Sequence, residues 1–102
     1  MDSYNLISEV IDWGRNKNLH DPVMQYAKLN EEVGEIAHEL TRGKLKTDEM
    51  KDALGDTLVT IIILADILGY RPEDCLAEAY EVISKRKGMT VNGSFVKFDG
   101  EN

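Results

Sequence analysis

The chain has a single cysteine, Cys75, so no intrachain disulfide can staple it and too few thiolates are present for a structural zinc site. Free cysteines are commonly buried, and Cys75 is read as a small core residue of the last helix. Only two prolines occur, Pro22 and Pro72, each beside a boundary rather than inside a periodic stretch. Bases are the minority, twelve against nineteen acids, for a formal charge of −7. That balance disfavours nonspecific attachment to nucleic acid backbones. It leaves a nucleotide open, because a divalent cation bridges carboxylates to phosphates. No apolar run approaches the roughly 20 residues of a membrane span. The longest, Leu58 to Ala65, contains Thr60 and is closed by Asp66. Asp2 and Glu9 stand where a secretory signal carries basic residues, so no export signal is read. A cytoplasmic location is expected, with no stable nucleic acid or membrane partner.

What is present is a charged, helix-patterned chain of 102 residues, 42% hydrophobic, long enough for one thin domain. Asp2 or Ser3 caps a first helix to about Arg15, with Leu6, Ile7, Val10, Ile11 and Trp13 on its apolar side. Asn16 to His20 read as a loop. Asp21-Pro22 starts a second helix that stops at Gly43, with Leu29, Val33, Ile36 and Leu40 as its core stripe. Gly34 within it lowers helix propensity and suggests a close helix contact. Thr47 or Asp48 caps a third helix that runs to Leu68. Its last half is apolar nearly all round, so it is central or shared with another subunit. The β-branched run there also suits a buried strand, but its length and the charge pattern before it favour helix. Pro72 opens a fourth helix ending before Gly88, with the basic run Lys85-Arg86-Lys87 at its negative end. Asn92-Gly93, flanked by Met89-Thr90-Val91 and Ser94-Phe95-Val96, reads as a type I′ hairpin.

The acids carry the functional signal. Glu32, Glu35 and Glu39 share one face of the second helix, with Glu31 off to one side; Glu49, Asp52 and Asp56 share a face of the third. Like charges three or four apart weaken an isolated helix, and Lys28 and Lys51 are too few to neutralise both sets. A solvated acidic surface is the plain reading of either set alone. Two such faces on adjacent, oppositely running helices bring carboxylates within reach of each other, where a hard, oxygen-seeking cation relieves their repulsion.

Lys28-Leu29-Asn30-Glu31-Glu32-Val33-Gly34-Glu35 and Leu54-Gly55-Asp56-Thr57-Leu58 resemble the all-alpha nucleoside triphosphate pyrophosphohydrolase superfamily, particularly its MazG-like branch. The likeness extends more weakly through Leu64 to Gly69 and accommodates most of residues 5–88. It implies an all-α, four-helix MazG-like bundle over residues 1–88, with a short C-terminal tail or hairpin over 89–102. It implies a homodimer or higher oligomer, Mg2+, and cleavage of a nucleoside triphosphate to a monophosphate and pyrophosphate. The family pattern Glu-Glu-x-x-Glu falls on Glu31, Glu32 and Glu35. The following Glu-x-x-Asp finds its aspartate in Asp56, but its glutamate position is Ala53, which cannot ligate a metal. Asp52, one residue earlier, is the candidate substitute.

Expected metal ligands are therefore Glu32, Glu35, Asp52 and Asp56, with Glu31 or Glu35 taking the proton of the attacking water. Lys28, Lys85 and Arg86 are candidates for phosphate contact, Arg86 having the fork shape for it. Each also has a plain role, Lys28 as neighbour of Glu32 and the other two as a cationic helix end. Trp13 either stacks on a base or packs in the core, and His20 lines the same pocket or an exposed loop. Neither histidine belongs to a zinc or nucleophile pattern. Two other classes remain open: a nonhydrolytic nucleotide sensor, sharpened by Ala53, and an acidic adaptor for a basic protein. Base and sugar preference, ion count and biological task are not written in these residues.

Overall fold

The computed structural model describes residues 3–98, which form α1 (Ser3–Asn16), α2 (Pro22–Thr41), α3 (Asp48–Ile67), α4 (Pro72–Ile83), β1 (Gly88–Val91) and β2 (Ser94–Lys97). Helix ends follow their local chemistry. Asp21 accepts hydrogen bonds from the amides of Val23 and Met24 at 3.0 and 3.1 Å, and Pro22 occupies the first helical position. Thr47 caps α3 by accepting from the Met50 amide at 3.1 Å. Asp2, the alternative cap for α1, lies outside the described residues. Gly43 and Gly69 end α2 and α3 with φ of 71° and 86°, a region glycine enters without steric cost. The returning amides satisfy the last carbonyls: Gly43 and Lys44 donate to Leu40 and Glu39, Gly69 and Tyr70 to Asp66 and Ala65. Asn18, with φ of 59°, ends α1 in the same way.

The chain divides into two compact units, Met1–Pro72 and Glu73–Asn102. In the first, α3 is the middle helix, packed along α2 and against α1. The pair α2–α3 is an antiparallel hairpin joined by residues 42–47. At one end the Gln25 side chain donates to the Thr60 carbonyl at 3.2 Å; at the other, Glu39 and Glu49 line one cleft. α1 meets α3 at Gly14, where an added Cβ would lie 3.1 Å from Cγ1 of the buried Ile63. Beside it the Arg15 guanidinium forks onto Asp66 with bonds of 2.6 and 3.0 Å. Gly34, expected at a close contact, has no heavy atom within 4 Å of an added Cβ. Gly14 is the glycine that lets two helices approach.

The core stripe expected on α2 also needs correction. Val33 and Leu40 are exposed, while the buried residues of α2 are Gln25, Glu32 and Glu39, spaced by seven. Two turns of helix separate successive members of that set; Leu29 and Ile36 of the expected stripe are half-buried, so the covered side of α2 mixes polar and apolar residues. Apolar periodicity identifies a helix, but it does not say which face the neighbour within the chain covers. On α3, Met50, Ala53, Thr60 and Ile63 are buried, and Leu54, Leu58 and Ile61 are exposed.

In the second unit α4 has no buried side chain, and Cys75 is exposed rather than a core residue. Tyr80 is likewise exposed. α4 stops at Ile83, so Lys85, Arg86 and Lys87 fall in the connection to β1 and not in a last helical turn. There the amides of Lys85 and Arg86 bond three residues back, to Val82 and Ile83, which tightens and ends the helix. The hairpin forms as read, with Asn92 and Gly93 at φ of 51° and 83°. Phe95 covers Gly88, where an added Cβ would sit 2.6 Å from its ring.

Candidate functional site

Inside the α2–α3 hairpin a cleft of about 360 Å³ is lined by Glu32, Glu35, Glu39, Glu49, Asp52, Ala53 and Asp56. Helical spacing makes it: Glu32, Glu35 and Glu39 recur at three and four residues along α2, as Glu49, Asp52 and Asp56 do along α3. Antiparallel packing then turns the two acidic faces toward each other. Ala53, 5% exposed, puts a methyl group among six carboxylates.

The electrostatic consequences appear at Asp56 and Glu39. Asp56 has its carboxyl pKa raised by loss of solvent and then by the neighbouring charges of Asp52 and Glu32, with Lys28 opposing. Lys28 pairs with Glu32 at 3.2 Å, and that bond raises the lysine pKa. Glu39 is 8% exposed, and its Oε2 is buried with no hydrogen-bond partner. Among the described residues no three carboxylate, imidazole or thiol groups stand close enough together to hold a metal ion. The donor set is nonetheless all oxygen and anionic, the chemistry that suits Mg2+ rather than a thiolate-seeking metal.

A larger cavity, about 640 Å³, adjoins the acidic one and shares Glu32 and Asp56 with it. Its other walls include Trp13 from α1, Asn18, Leu19 and His20 from the connection, Met24, Gln25 and Lys28 from α2, and Val59, Thr60 and Ile63 from α3. Trp13 is 51% exposed on this cavity and is not a core residue. The close approach at Gly14 and the fork from Arg15 to Asp66 fix the end of α1 that carries it.

Of the residues singled out in the sequence, Glu32, Glu35, Asp52 and Asp56 meet in the acidic cleft, and Lys28 and Trp13 face the larger cavity. Glu31 is exposed and lines neither. Lys85 and Arg86 belong to the second unit, where Lys85 pairs with Glu81. His38 stands beside Arg42 at 3.1 Å, away from both linings. Asn18 and Gln25 also line the larger cavity; the only sequence signal for Asn18 is its place after the last turn of α1, where a left-handed residue is common. Gln25 sits seven residues before Glu32, on the same side of α2.

Comparison with known proteins agrees with the resemblance carried by the two helices of this cleft. The chain is 36% identical over 67 residues to an uncharacterized 18.2 kDa protein in the rep-hol intergenic region of Haemophilus phage HP1 (strain HP1c1). The match covers 63% of the chain and 40% of that relative's length. No solved structure matches the chain. Residues 21–89 match the family model of the MazG nucleotide pyrophosphohydrolase domain, which includes α2, α3 and every residue of the acidic cleft. The chain belongs to the MazG nucleotide pyrophosphohydrolase family.

Proposed function

We propose that the chain is a Mg2+-dependent nucleoside triphosphate pyrophosphohydrolase, releasing a nucleoside monophosphate and pyrophosphate. The observation that carries this reading is the boundary shared by the two cavities. Glu32 and Asp56 stand between an aromatic, partly apolar chamber and a cleft of carboxylates. A nucleotide has the same division, a flat base at one end and anionic phosphates at the other.

Glu32, Glu35, Asp52 and Asp56 are the residues that would hold Mg2+, through rearrangement of their side chains about a common centre. Bound there, Mg2+ supplies charge neutralisation at phosphate oxygens and a lowered pKa for coordinated water. Glu35 is the proton acceptor, since Glu31 lies outside the cleft. Attack at the α-phosphorus forms one phosphorus–oxygen bond as the bond to the β-phosphate oxygen breaks, and pyrophosphate departs. Lys28, already beside Glu32, is placed to exchange that partner for a phosphate oxygen. Trp13 supplies a stacking face for the base. Lys85 and Arg86 are proposed to hold the phosphate tail, on charge alone.

The functional molecule is proposed to be a homodimer or larger homo-oligomer. Leu40 on α2 and Leu58 on α3 are 53% and 61% exposed, and α4 buries nothing. A closed assembly of identical chains is the simplest cover for such faces. A cytoplasmic setting, where nucleoside triphosphates are available, fits this activity.

The test is a panel of ribo- and deoxynucleoside triphosphates, including noncanonical bases, with monophosphate and pyrophosphate both measured. Mg2+-dependent release of the two in equal amounts is the expected result. Nucleotide-dependent thermal stabilisation without turnover would replace the hydrolase by a sensor, the alternative that Ala53 sharpens. Neither binding nor turnover, with capture of a basic protein, would replace both by an adaptor.

A further inference from the structure

The family pattern accounts for Glu32, Glu35 and Asp56 and leaves Ala53 as a missing carboxylate, yet the cleft is not short of acids. Glu39 and Glu49 lie outside that pattern and line the same cavity. Glu39 follows Glu35 by one helical turn, and Glu49 precedes Asp52 and Ala53 by one. The two therefore extend the cleft away from the Trp13 chamber, toward the link between α2 and α3.

Glu39 is what makes this end more than an acidic surface. It is more than nine-tenths buried, and its Oε2 is enclosed with no hydrogen-bond donor. Buried carboxylates ordinarily have a partner, because burial removes the water that would solvate the charge. Arg42, three residues further on, does not supply one, being engaged with His38. A buried anion aimed into a cleft lined by five other carboxylates is a group awaiting a cation.

We propose that Glu39, Glu49 and Asp52, drawn together by rearrangement of their side chains, form a divalent-cation position one to two helical turns along the cleft from Glu32 and Asp56, supplying the ligand set that Ala53 withdraws. This inference rests on the metal-dependent reading of the cleft given above. The ligands are oxygen-only and anionic, so the ion is a hard one, Mg2+ or Mn2+. The position also gives Asp52 a role that does not require it to reach the direction once served by the residue at 53.

Mn2+ binding, followed by calorimetry and by electron paramagnetic resonance of the free ion, tests it on the full chain without nucleotide. Glu39→Gln and Glu49→Gln are each expected to weaken Mn2+ binding at least tenfold or remove one equivalent. Glu39→Gln should also raise the melting temperature of the metal-free protein, by removing the unpaired charge, while shrinking the rise produced by Mn2+. The opposed signs separate a ligand from a packing residue. If both variants keep the wild-type isotherm while Asp56→Asn loses affinity, this position is wrong and the metal-dependent hydrolase stands. If the wild-type chain takes up no Mn2+ at millimolar concentration, both fail. Should Glu39→Gln not fold, the exposed Glu49→Gln decides by the same isotherm.

Discussion

The two ends of the α2–α3 hairpin treat polar groups in opposite ways. Toward the chamber, Gln25 donates to the Thr60 carbonyl, Asp21 takes two helix amides, and Arg15 and Asp66 hold each other by two bonds. Toward the link, six carboxylates share a cleft, one carries a buried oxygen without a partner, and another has its pKa raised by loss of solvent and then by its acidic neighbours. The first end is a fold satisfying itself. The second is left unsatisfied by the chain, and an unmet electrostatic demand of that kind is where an outside ligand gains most.

Substitutions at the two ends should therefore fail differently. Glu35→Gln or Asp56→Asn is expected to lower turnover by at least about 100-fold, above the 10–100-fold typical of groups behind a metal's own ligands. Circular dichroism should show helicity intact. Normal rates in both variants would erase the functional side of the contrast. Gly14→Val, at the satisfied end, should cost about 1–3 kcal/mol of stability through overpacking against Ile63. A thermal melt that matches wild type would show that the close approach of α1 does not constrain the fold. Trp13→Ala lies between the two: about tenfold in KM from lost stacking, with kcat little changed. A loss confined to kcat would remove Trp13 from base binding.

The smallest effect concerns acid. Asp56 has a folded-state pKa above its ordinary value, so the native chain binds its proton more tightly than the unfolded chain does. Its contribution to stability is thus fully present below the usual carboxylate range and is lost as pH rises through the raised value. Metal-free protein should melt slightly lower as pH climbs through that window, and Asp56→Asn should flatten the slope. Melting that is equally steep in the variant would assign the slope to other carboxylates.

Much of this contrast was legible in the sequence at the level of local chemistry. Asp21-Pro22, Thr47, Gly43, Gly69 and Asn92-Gly93 mark their boundaries because a cap or a positive φ depends on a residue and its immediate neighbours. The acidic faces were legible too, since helical spacing alone aligns them. What could not be read was long-range. Nothing local distinguishes Gly14, pressed on Ile63, from Gly34, which meets nothing. Nor does periodicity tell that α2 turns Glu32 and Glu39 inward and leaves Leu40 out, or that Cys75 stays exposed. Those outcomes depend on which surfaces other helices cover.

The brevity of the link at residues 42–47 has a kinetic consequence. Every acid of the cleft falls between Glu32 and Asp56, so gathering them requires closing only a short loop of chain. The proposed cage for the ion is complete once a single turn-back has formed, before α1 docks. Mg2+ present during refolding should accordingly accelerate the folding arm of a chevron rather than only retard unfolding. A folding arm indifferent to the ion would mean that the helices meet late and that the cage is among the last features to assemble.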